Sequence, residues 1–277
     1  QRQMCIRDRS SPLDIGDEPY QIYQKFGRDV TVAVCEDRVR GIEELLRIDP
    51  KINLIVLDDA YQHRYVKPTV SILLTDFNAP VFDDTLLPHG RLREPMNAIY
   101  RADMVVVTKC PERLKAIEYR IFKNSLKLFP YQGLFFSSIE YEQLVPLFPD
   151  KALQPPYLSW LSEHDSILAV SGIANPRPFV RYLRSFHAKV KIKQFPDHYN
   201  FTRRDLELLL RRFNEMDGER KLLITTEKDA VRMLNNPYFP EQLKECTYYL
   251  PVKVRFDPHN VETFDDELQK LLLKAVF

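Results

Sequence analysis

The chain has 277 residues, of which 44% are hydrophobic and 29% charged, with 40 basic against 39 acidic side chains. This length supports one large α/β domain or two modest ones, each with a buried core. The balanced charge argues against a nucleic-acid binder driven by bulk positive charge, although it leaves a local basic patch open. Four scattered cysteines without a CxxC pair indicate neither a disulfide framework nor a zinc ribbon.

Glycine is scarce, with only 7 residues in the chain and no tight cluster among them. A loop that cradles phosphate clusters its glycines, because backbone N–H groups must approach the ligand closely. The sequence contains no GxxxxGK[ST] segment, which is the usual phosphate loop of nucleotide enzymes. It also contains no apolar run of about 18 residues, so no membrane-spanning helix is predicted.

Short β-branched apolar runs alternate with helical patterns along the first half of the chain. Helices are predicted over 39–48 and over 111–128, the second opened by a proline. Strands are predicted at 30–34, 52–57, 70–74 and 104–107. Apolar strands that alternate with helices predict a parallel sheet in an α/β fold.

A second α/β series follows a strand predicted at 134–141 and a stretch rich in proline. Thr202 with Asp205 three residues later predicts a capped helix over 203–214. The other predicted elements are strands at 167–170, 190–195 and 222–225 and helices at 179–186 and 227–234.

These patterns predict an α/β domain at 11–143, a Pro-rich linker at 144–166 and a smaller α/β domain at 167–277. Residues 1–10 have no structural period and resemble translated sequencing-adaptor sequence, so we expect a non-native or disordered arm there.

The segment 57–64, LDDAYQHR, follows a predicted apolar strand. A strand ending in Asp is the Walker B arrangement, in which the carboxylate reaches Mg²⁺ directly or through water. A capped turn is the alternative, but the polar residues that follow the two aspartates favour a functional role.

Gly16-Asp17-Glu18-Pro19 places two adjacent carboxylates before a proline, which is expected to hold Glu18 extended and to prevent a helix there. Fixed carboxylates suit a general base or a metal ligand, whereas a surface turn is the alternative. His198, beside Asp197 after a predicted strand, could be a tuned acid–base group or a structural histidine.

The segment 86–95, LLPHGRLREP, places Arg91 and Arg93 in one loop. An arginine side chain binds phosphate through two parallel hydrogen bonds, so this loop is interpreted as a phosphate-binding element. A solvated loop without a ligand is an equally good interpretation. The turn 225–229, TTEKD, puts acids at a helix N-terminus, and a structural role is favoured there over phosphate binding by Lys228.

Taken in this order, these segments resemble the tetraacyldisaccharide 4'-kinase family of the lipid A pathway. Ala60 and Tyr61 depart from the family's usual Gly and Phe and resemble versions seen in Bacteroidetes-like sequences. The matching strings run from Gly16 to Met233 and are GDEPYQI, VAVCEDRVRGIEELL, NLIVLDDAYQHR, LLPHGRLREP, ADMVVVTK, AVSGIANPRPF, FPDHYNFTRRDL and LLITTEKDAVRM.

The resemblance implies transfer of a phosphoryl group from ATP, with Mg²⁺, to the 4'-hydroxyl of a tetraacyldisaccharide 1-phosphate. It implies an α/β fold: a P-loop-NTPase-like parallel-sheet domain, here without its first strand and phosphate loop, and a second, smaller α/β domain. It also implies peripheral contact with the cytoplasmic face of the bacterial inner membrane and no nucleic-acid partner, and it leaves the oligomeric state open. Because the family's phosphate loop and membrane anchor belong upstream of GDEP, we expect an N-terminally truncated product that is inactive as written, with an active full-length parent.

The resemblance also assigns roles to acidic residues and to a histidine. Asp17 matches the base for the sugar hydroxyl, and His198 matches its dyad partner, which orients that carboxylate. Glu18 and Asp58 match acids on the magnesium side.

Five further residues receive looser assignments from the resemblance. Asp59, Gln62 and His63 match a polar cluster beside the magnesium side. Arg91 and Arg93 are assigned to an anionic group of the lipid substrate or the nucleotide.

Two other functional classes stay open at this point. A metal-dependent phosphohydrolase would use Asp58, Asp59, His63 and His198 and would need no phosphate loop. A non-catalytic nucleotide- or lipid-binding module would bind its ligand equally well after Asp17→Asn or His198→Ala. Neither class explains why all the segments occur in this order.

Overall fold

A computed structural model describes residues 15–27, 29–154, 157–258 and 262–276. The predicted arm at 1–10 lies outside these residues, as does the side chain of Asp17. The chain divides into two compact units. Among the described residues, the first unit consists of those up to 37 together with 141–252. The second unit consists of 38–140 together with the described residues from 253 onward.

Helices and strands alternate along most of the described chain. The strands are β1 (Ile72–Asp76), β2 (Met104–Thr108), β3 (Gly133–Tyr141), β4 (Val145–Pro146), β5 (Ser166–Ser171), β6 (Lys189–Gln194), β7 (Lys221–Thr226), β8 (Thr247–Leu250) and β9 (Val252–Phe256). The helices are α1 (Asp17–Phe26), α2 (Arg38–Ile48), α3 (Ala116–Leu126), α4 (Arg177–Leu183), α5 (Arg203–Asn214), α6 (Glu227–Leu234), α7 (Glu241–Lys244) and α8 (Phe264–Val276). None of the described helices is long and apolar enough to cross a bilayer.

The first unit is organised around a five-stranded sheet in the order β4-β8-β7-β5-β6. Strands β5 to β8 run parallel, and β4 pairs antiparallel to β8. Successive side chains of a strand point to opposite faces. Ile167 and Ala169 of β5 accordingly join a core cluster with α4, whereas Leu168 and Val170 join another cluster with α5.

The second unit has a four-stranded sheet in the order β1-β2-β3-β9, in which β1, β2 and β3 are parallel. Val105 and Val107 of β2 pack in one cluster with Phe122 of α3. Met104 on the alternate face belongs to a cluster that includes Phe264 of α8. Both units are therefore layered α/β structures, which confirms the predicted fold class.

Several predicted elements are confirmed. The helix at 39–48 forms as α2, and β5, β6 and β7 cover the strands predicted at 167–170, 190–195 and 222–225. The capping box of α5 forms as expected, since Thr202 Oγ1 accepts the Asp205 N–H and Asp205 Oδ2 accepts the Thr202 N–H. The helix predicted from 111 instead begins at Ala116, where the Glu118 carboxylate accepts the Lys115 N–H.

The strands predicted at 30–34 and 52–57 are wrong, because neither segment forms one. Leu54 is 60% exposed and Val56 is 84% exposed, although a buried strand was expected there. An apolar run becomes a strand only when a neighbouring strand takes up its N–H and C=O groups. Within the described residues, β1 is the edge of its sheet and pairs with β2 alone.

The compact units differ from the predicted domain boundaries. Leu144, Leu158 and Leu161 belong to the predicted linker 144–166 yet are buried in the core of the first unit. Helix α1 groups with that unit rather than with 38–140, and α8 groups with the second unit rather than with 167–252. Burial of apolar side chains, rather than proline content, decides where the segments belong.

Candidate active site

Loops that follow the parallel strands of the first unit meet at the carboxyl edge of its sheet. The chain leaves β5 toward β6 on one side, then crosses to β7 on the other side and continues to β8. Connections therefore diverge between β5 and β7, and such a switch point is where open α/β sheets bind ligands. Gly172 follows β5, His198 follows β6, and Thr226 ends β7 at this edge.

The imidazole of His198 meets a cation at each ring nitrogen. Lys228 Nζ lies 3.1 Å from Nε2, and Arg232 Nη2 lies 3.2 Å from Nδ1. Lys228 and Arg232 are four residues apart on α6 and so share one face of that helix. The His198 backbone is left-handed, with φ 55°, and its N–H donates to Asp197 Oδ1 at 3.0 Å.

A buried carboxylate holds Arg232 in place. Asp229 is fully buried, and its Oδ1 lies 3.1 Å from Arg232 Nη1. Its Oδ2 accepts the Gly172 N–H at 2.8 Å and the Thr226 hydroxyl at 2.6 Å. Burial raises the pKa of Asp229, and the hydrogen bonds from Gly172 and Thr226 and the charge of Arg232 oppose that shift. A side chain at Gly172 would lie 3.0 Å from Asp229 Oδ1, so this close approach favours glycine.

Helix α1 carries the two carboxylates of the GDEP segment and docks against α6. The Asn235 side-chain amide donates to the Tyr20 hydroxyl at 3.1 Å, and Lys25 Nζ lies 3.2 Å from Glu227 Oε1. Glu18 Oε1 lies 3.5 Å from Lys228 Nζ, so Glu18 and His198 contact the same ammonium group.

The expectation that proline prevents a helix at GDEP is wrong, because α1 begins at Asp17 and includes Pro19. Proline is tolerated in the first turn, where its missing N–H would have no partner within the helix. Gly16 precedes the helix with φ 94°, a conformation that suits glycine. The side chain of Asp17 lies outside the described residues, so its predicted pairing with His198 stays a prediction.

In the second unit, Asp58 and Asp59 occupy a turn rather than the end of a strand, so the predicted Walker B strand is wrong. Asp58 Oδ1 accepts the Asp59 N–H at 3.0 Å, and Asp59 has a left-handed φ of 45°. Arg93 Nη1 lies 3.2 and 3.1 Å from the two carboxylate oxygens of Asp59. The structure thus brings together two of the predicted residues from distant segments.

Arg91 is engaged differently from Arg93. Asp84 accepts both the Arg91 Nε–H at 2.8 Å and the Arg91 backbone N–H at 3.1 Å. The N–H donors of Arg91 and Thr85 hold the pKa of Asp84 below its usual value. Both arginine side chains are exposed, but Arg91 pairs with the largely covered Asp84, whereas Arg93 pairs with an exposed carboxylate.

Gln62 and His63, the remaining predicted residues, are placed differently. Gln62 and Arg93 line a small cleft, whereas the His63 backbone N–H closes a turn on the Ala60 carbonyl at 2.9 Å. Arg101 supports this cleft, since it pairs with Glu94 at 2.8 Å and lies 4.6 Å from the centre of the Tyr61 ring. Among the described residues, no group of three or more His, Cys, Asp or Glu side chains is arranged to hold a metal ion.

Comparison with known proteins decides the family. The sequence model of one family, LpxK, tetraacyldisaccharide-1-P 4'-kinase, matches residues 1–272. The chain belongs to the LpxK family. It is 45% identical to the tetraacyldisaccharide 4'-kinase of Bacteroides thetaiotaomicron over 94% of this chain and 70% of that protein. It is 43% identical to the enzyme of Porphyromonas gingivalis over 94% of this chain and 72% of that protein.

A solved structure supports the same assignment. LpxK from Aquifex aeolicus in complex with ATP matches with a TM-score of 0.65 and 25% identity, over 97% of this chain and 71% of that chain. The recognition of the family from its motifs is therefore confirmed, and the relatives named above agree with the Bacteroidetes-like character of the sequence.

Three residues of the LpxK chain that lie beside His198 or its partner were not among the predicted site residues. Lys228 was assigned a structural role, and Asp229 and Arg232 received no role of their own. The sequence does contain a signal for them, because a charged pair at i and i+4 directly after a buried parallel strand points into the loops at the carboxyl edge. The left-handed backbone that turns His198 toward them leaves no comparable trace in a single sequence.

Proposed function

We propose that this chain is a tetraacyldisaccharide 4'-kinase that transfers the γ-phosphoryl group of ATP to the 4'-hydroxyl of a tetraacyldisaccharide 1-phosphate. Membership of the LpxK family supports the type of reaction. ATP as the phosphoryl donor is supported by the solved LpxK structure, which contains ATP. The observation that supports the site is His198, whose two ring nitrogens lie within 3.2 Å of Lys228 and Arg232 at the switch point of the first unit.

Phosphoryl transfer requires positioning and charge neutralisation more than covalent chemistry. In this proposal, Asp17 takes the proton of the sugar hydroxyl, and His198 orients the Asp17 carboxylate. Lys228, which contacts both Glu18 and His198, supplies positive charge beside the reacting groups.

Glu18 and Asp58 are the proposed magnesium ligands. Mg²⁺ is usually held by one or two carboxylates together with substrate phosphates and water, so it needs no cluster of three acids. Both residues suit this role. Glu18 is exposed, and Asp58 accepts the neighbouring Asp59 N–H with its Oδ1. Bound with ATP, the ion would neutralise charge on the phosphates.

Arg93, which lies beside Asp59 and Gln62, is the proposed contact for a phosphate of the nucleotide or the lipid, and His63 is proposed to belong to the same polar cluster. An exposed ion pair is weak in water, so a dianionic phosphate can displace Asp59 from Arg93. Arg91, the other arginine assigned to this role, is the weaker candidate because Asp84 already binds its Nε–H and backbone N–H.

A substrate with several acyl chains resides in a membrane, because each buried methylene contributes about 0.8 kcal/mol to membrane binding. We therefore place the reaction at a membrane surface, through peripheral contact with the cytoplasmic face of the inner membrane, where ATP is available.

The test is a kinase assay on the protein as its gene encodes it, with labelled ATP and tetraacyldisaccharide 1-phosphate. Asp17→Asn and His198→Ala should each lower kcat by about 10²- to 10⁴-fold, the usual contribution of a positioned acid–base group. His164→Ala, which changes an exposed histidine of the same unit, is the matched control and should leave kcat unchanged. Hydrolysis of a phosphate ester without ATP would instead support the phosphohydrolase, and unchanged ligand binding without any turnover would support the binding module.

A further inference from the structure

The contacts of His198 with Lys228 and Arg232 pose a chemical problem. Lysine and arginine carry only N–H donors, and a neutral imidazole offers one acceptor nitrogen and one N–H. Lys228 and Arg232 both approach His198 within hydrogen-bond distance, at 3.1 and 3.2 Å. Only one of these two contacts can be a true hydrogen bond while the imidazole is neutral.

Burial and rigidity favour the contact with Arg232. Its side chain is 3% exposed, and the fully buried Asp229 carboxylate holds its Nη1 at 3.1 Å. A guanidinium stays protonated in proteins, so it cannot become an acceptor. His198 Nδ1 must therefore accept when it meets this group.

Lys228 is held less firmly. Its side chain is 24% exposed, its ammonium sits on a flexible four-carbon stem, and Glu18 offers it a carboxylate at 3.5 Å. The Asp197 carboxylate also lies 3.8 Å from His198 Nε2, which suits a nitrogen that carries a proton. The groups around Nε2 therefore accommodate an N–H there.

We infer that Asp229 and Arg232 are positioning residues that fix the tautomer of His198, with Nδ1 as the acceptor and the proton on Nε2. Asp229 holds Arg232, Arg232 donates to Nδ1, and Nε2–H is left as the donor on the side away from Arg232. This inference rests on the proposed function only where it makes His198 a partner of Asp17. In that role His198 donates Nε2–H to the base and does not itself remove the proton of the hydroxyl.

The inference is tested by ¹⁵N–¹H correlation spectra of the histidine rings in the ¹⁵N-labelled 277-residue chain, recorded without substrate at a pH where His198 is neutral. The unprotonated ring nitrogen resonates far downfield of the protonated one, so the tautomer is read directly. We expect Nδ1 of His198 to be unprotonated, and Lys228→Met to leave this state unchanged. A protonated Nδ1 in the unaltered chain would overturn the inference without the need for any variant.

The double variant Asp229→Asn/Arg232→Met removes both buried charges together and leaves Lys228 as the donor at Nε2. We expect the tautomer to switch, so that Nδ1 carries the proton, whereas Arg211→Met, an exposed arginine of α5, should not change it. An unchanged tautomer in a folded double variant would refute the role of the pair. If that variant does not fold, a protonated Nδ1 in the unaltered chain would still overturn the inference. If the activity assay contradicts the proposed kinase function, the spectroscopic result on His198 still holds. The proposed function and the inferred tautomer can therefore fail independently.

Discussion

Arg232 Nη1 lies 3.1 Å from Asp229 Oδ1, and this ion pair is removed almost entirely from solvent inside the first unit. Removing one member of a buried pair leaves the other charge unpaired, which costs about 3–5 kcal/mol. We expect Asp229→Asn to lower the free energy of unfolding by that amount, measured by urea denaturation. Arg203→Gln breaks the exposed pair with Glu207 and should cost only about 0.3–0.5 kcal/mol. Equal losses in the two variants would contradict this account.

Arg93 and Asp59 form a pair of the opposite kind, with side chains 58% and 73% exposed. Such pairs contribute about 0–1 kcal/mol to folding, so Arg93→Gln should leave the urea midpoint nearly unchanged. If Arg93 binds phosphate, loss of a charged hydrogen bond of about 1.5–3 kcal/mol should lower kcat/KM by roughly ten- to a hundredfold. Arg113→Gln, an exposed arginine of the same unit, serves as the control in both measurements. A stable variant with full activity would remove Arg93 from the site.

Asp165 gives the stability of the first unit a defined dependence on pH. Burial raises the pKa of this carboxyl, but hydrogen bonds from Ser162 and Arg220 outweigh burial and hold the pKa below its ordinary 3.8. A carboxyl group whose pKa is lowered by folding stabilises the fold at pH values above its ordinary pKa. This stabilisation is lost as the pH falls through the pKa of the folded state.

We therefore expect Asp165→Asn to be less stable than the unaltered chain at neutral pH, by about 1–3 kcal/mol. The difference should shrink steadily as the pH is lowered below 3.8. Urea unfolding across this pH range measures it, with Asp150→Asn, at an exposed position of the same unit, as the control variant. A difference that grows in acid would show that the sign is wrong.

Tyr61 lines the small cleft of the second unit, together with Gln62 and Arg93. Its hydroxyl donates to the Ala98 carbonyl at 2.6 Å, while its ring lies against Arg101. Tyr61→Phe keeps the ring and removes one partly buried hydrogen bond, so we expect a loss of about 0.5–1.5 kcal/mol in stability with unchanged activity. Tyr65→Phe, at a residue that is almost fully exposed, should be neutral. A drop in activity for Tyr61→Phe would instead assign the hydroxyl to the site.

Local and strongly periodic features were predictable from the sequence. The capping box at Thr202, helix α2 and the central strands of the first unit follow from hydrogen-bonding chemistry and side-chain periodicity within a few residues. The family was recognisable because its polar segments occur in a fixed order along the chain.

Features that depend on a distant partner were not predictable. The apolar segment 52–57 reads like a buried strand, but pairing with another strand decides whether it forms one. Pro19 was treated as a helix breaker because its place in the first turn depends on where α1 begins. The contacts among Glu18, His198 and Lys228 arise from three separate segments, so spacing along the chain does not reveal them.

The docking of α1 against α6 also has a consequence for biosynthesis. The hydrogen bond between Tyr20 and Asn235 joins residues 215 positions apart, and Lys25 also donates to the Val252 carbonyl. A ribosome adds about 5–20 residues per second, so α1 waits roughly 10–40 s before its partner helix is made. During this interval Tyr20, which is buried in the folded unit, lacks the partner that it has there. Glu18 is thus synthesised long before Lys228, and it reaches this partner only after α6 has emerged.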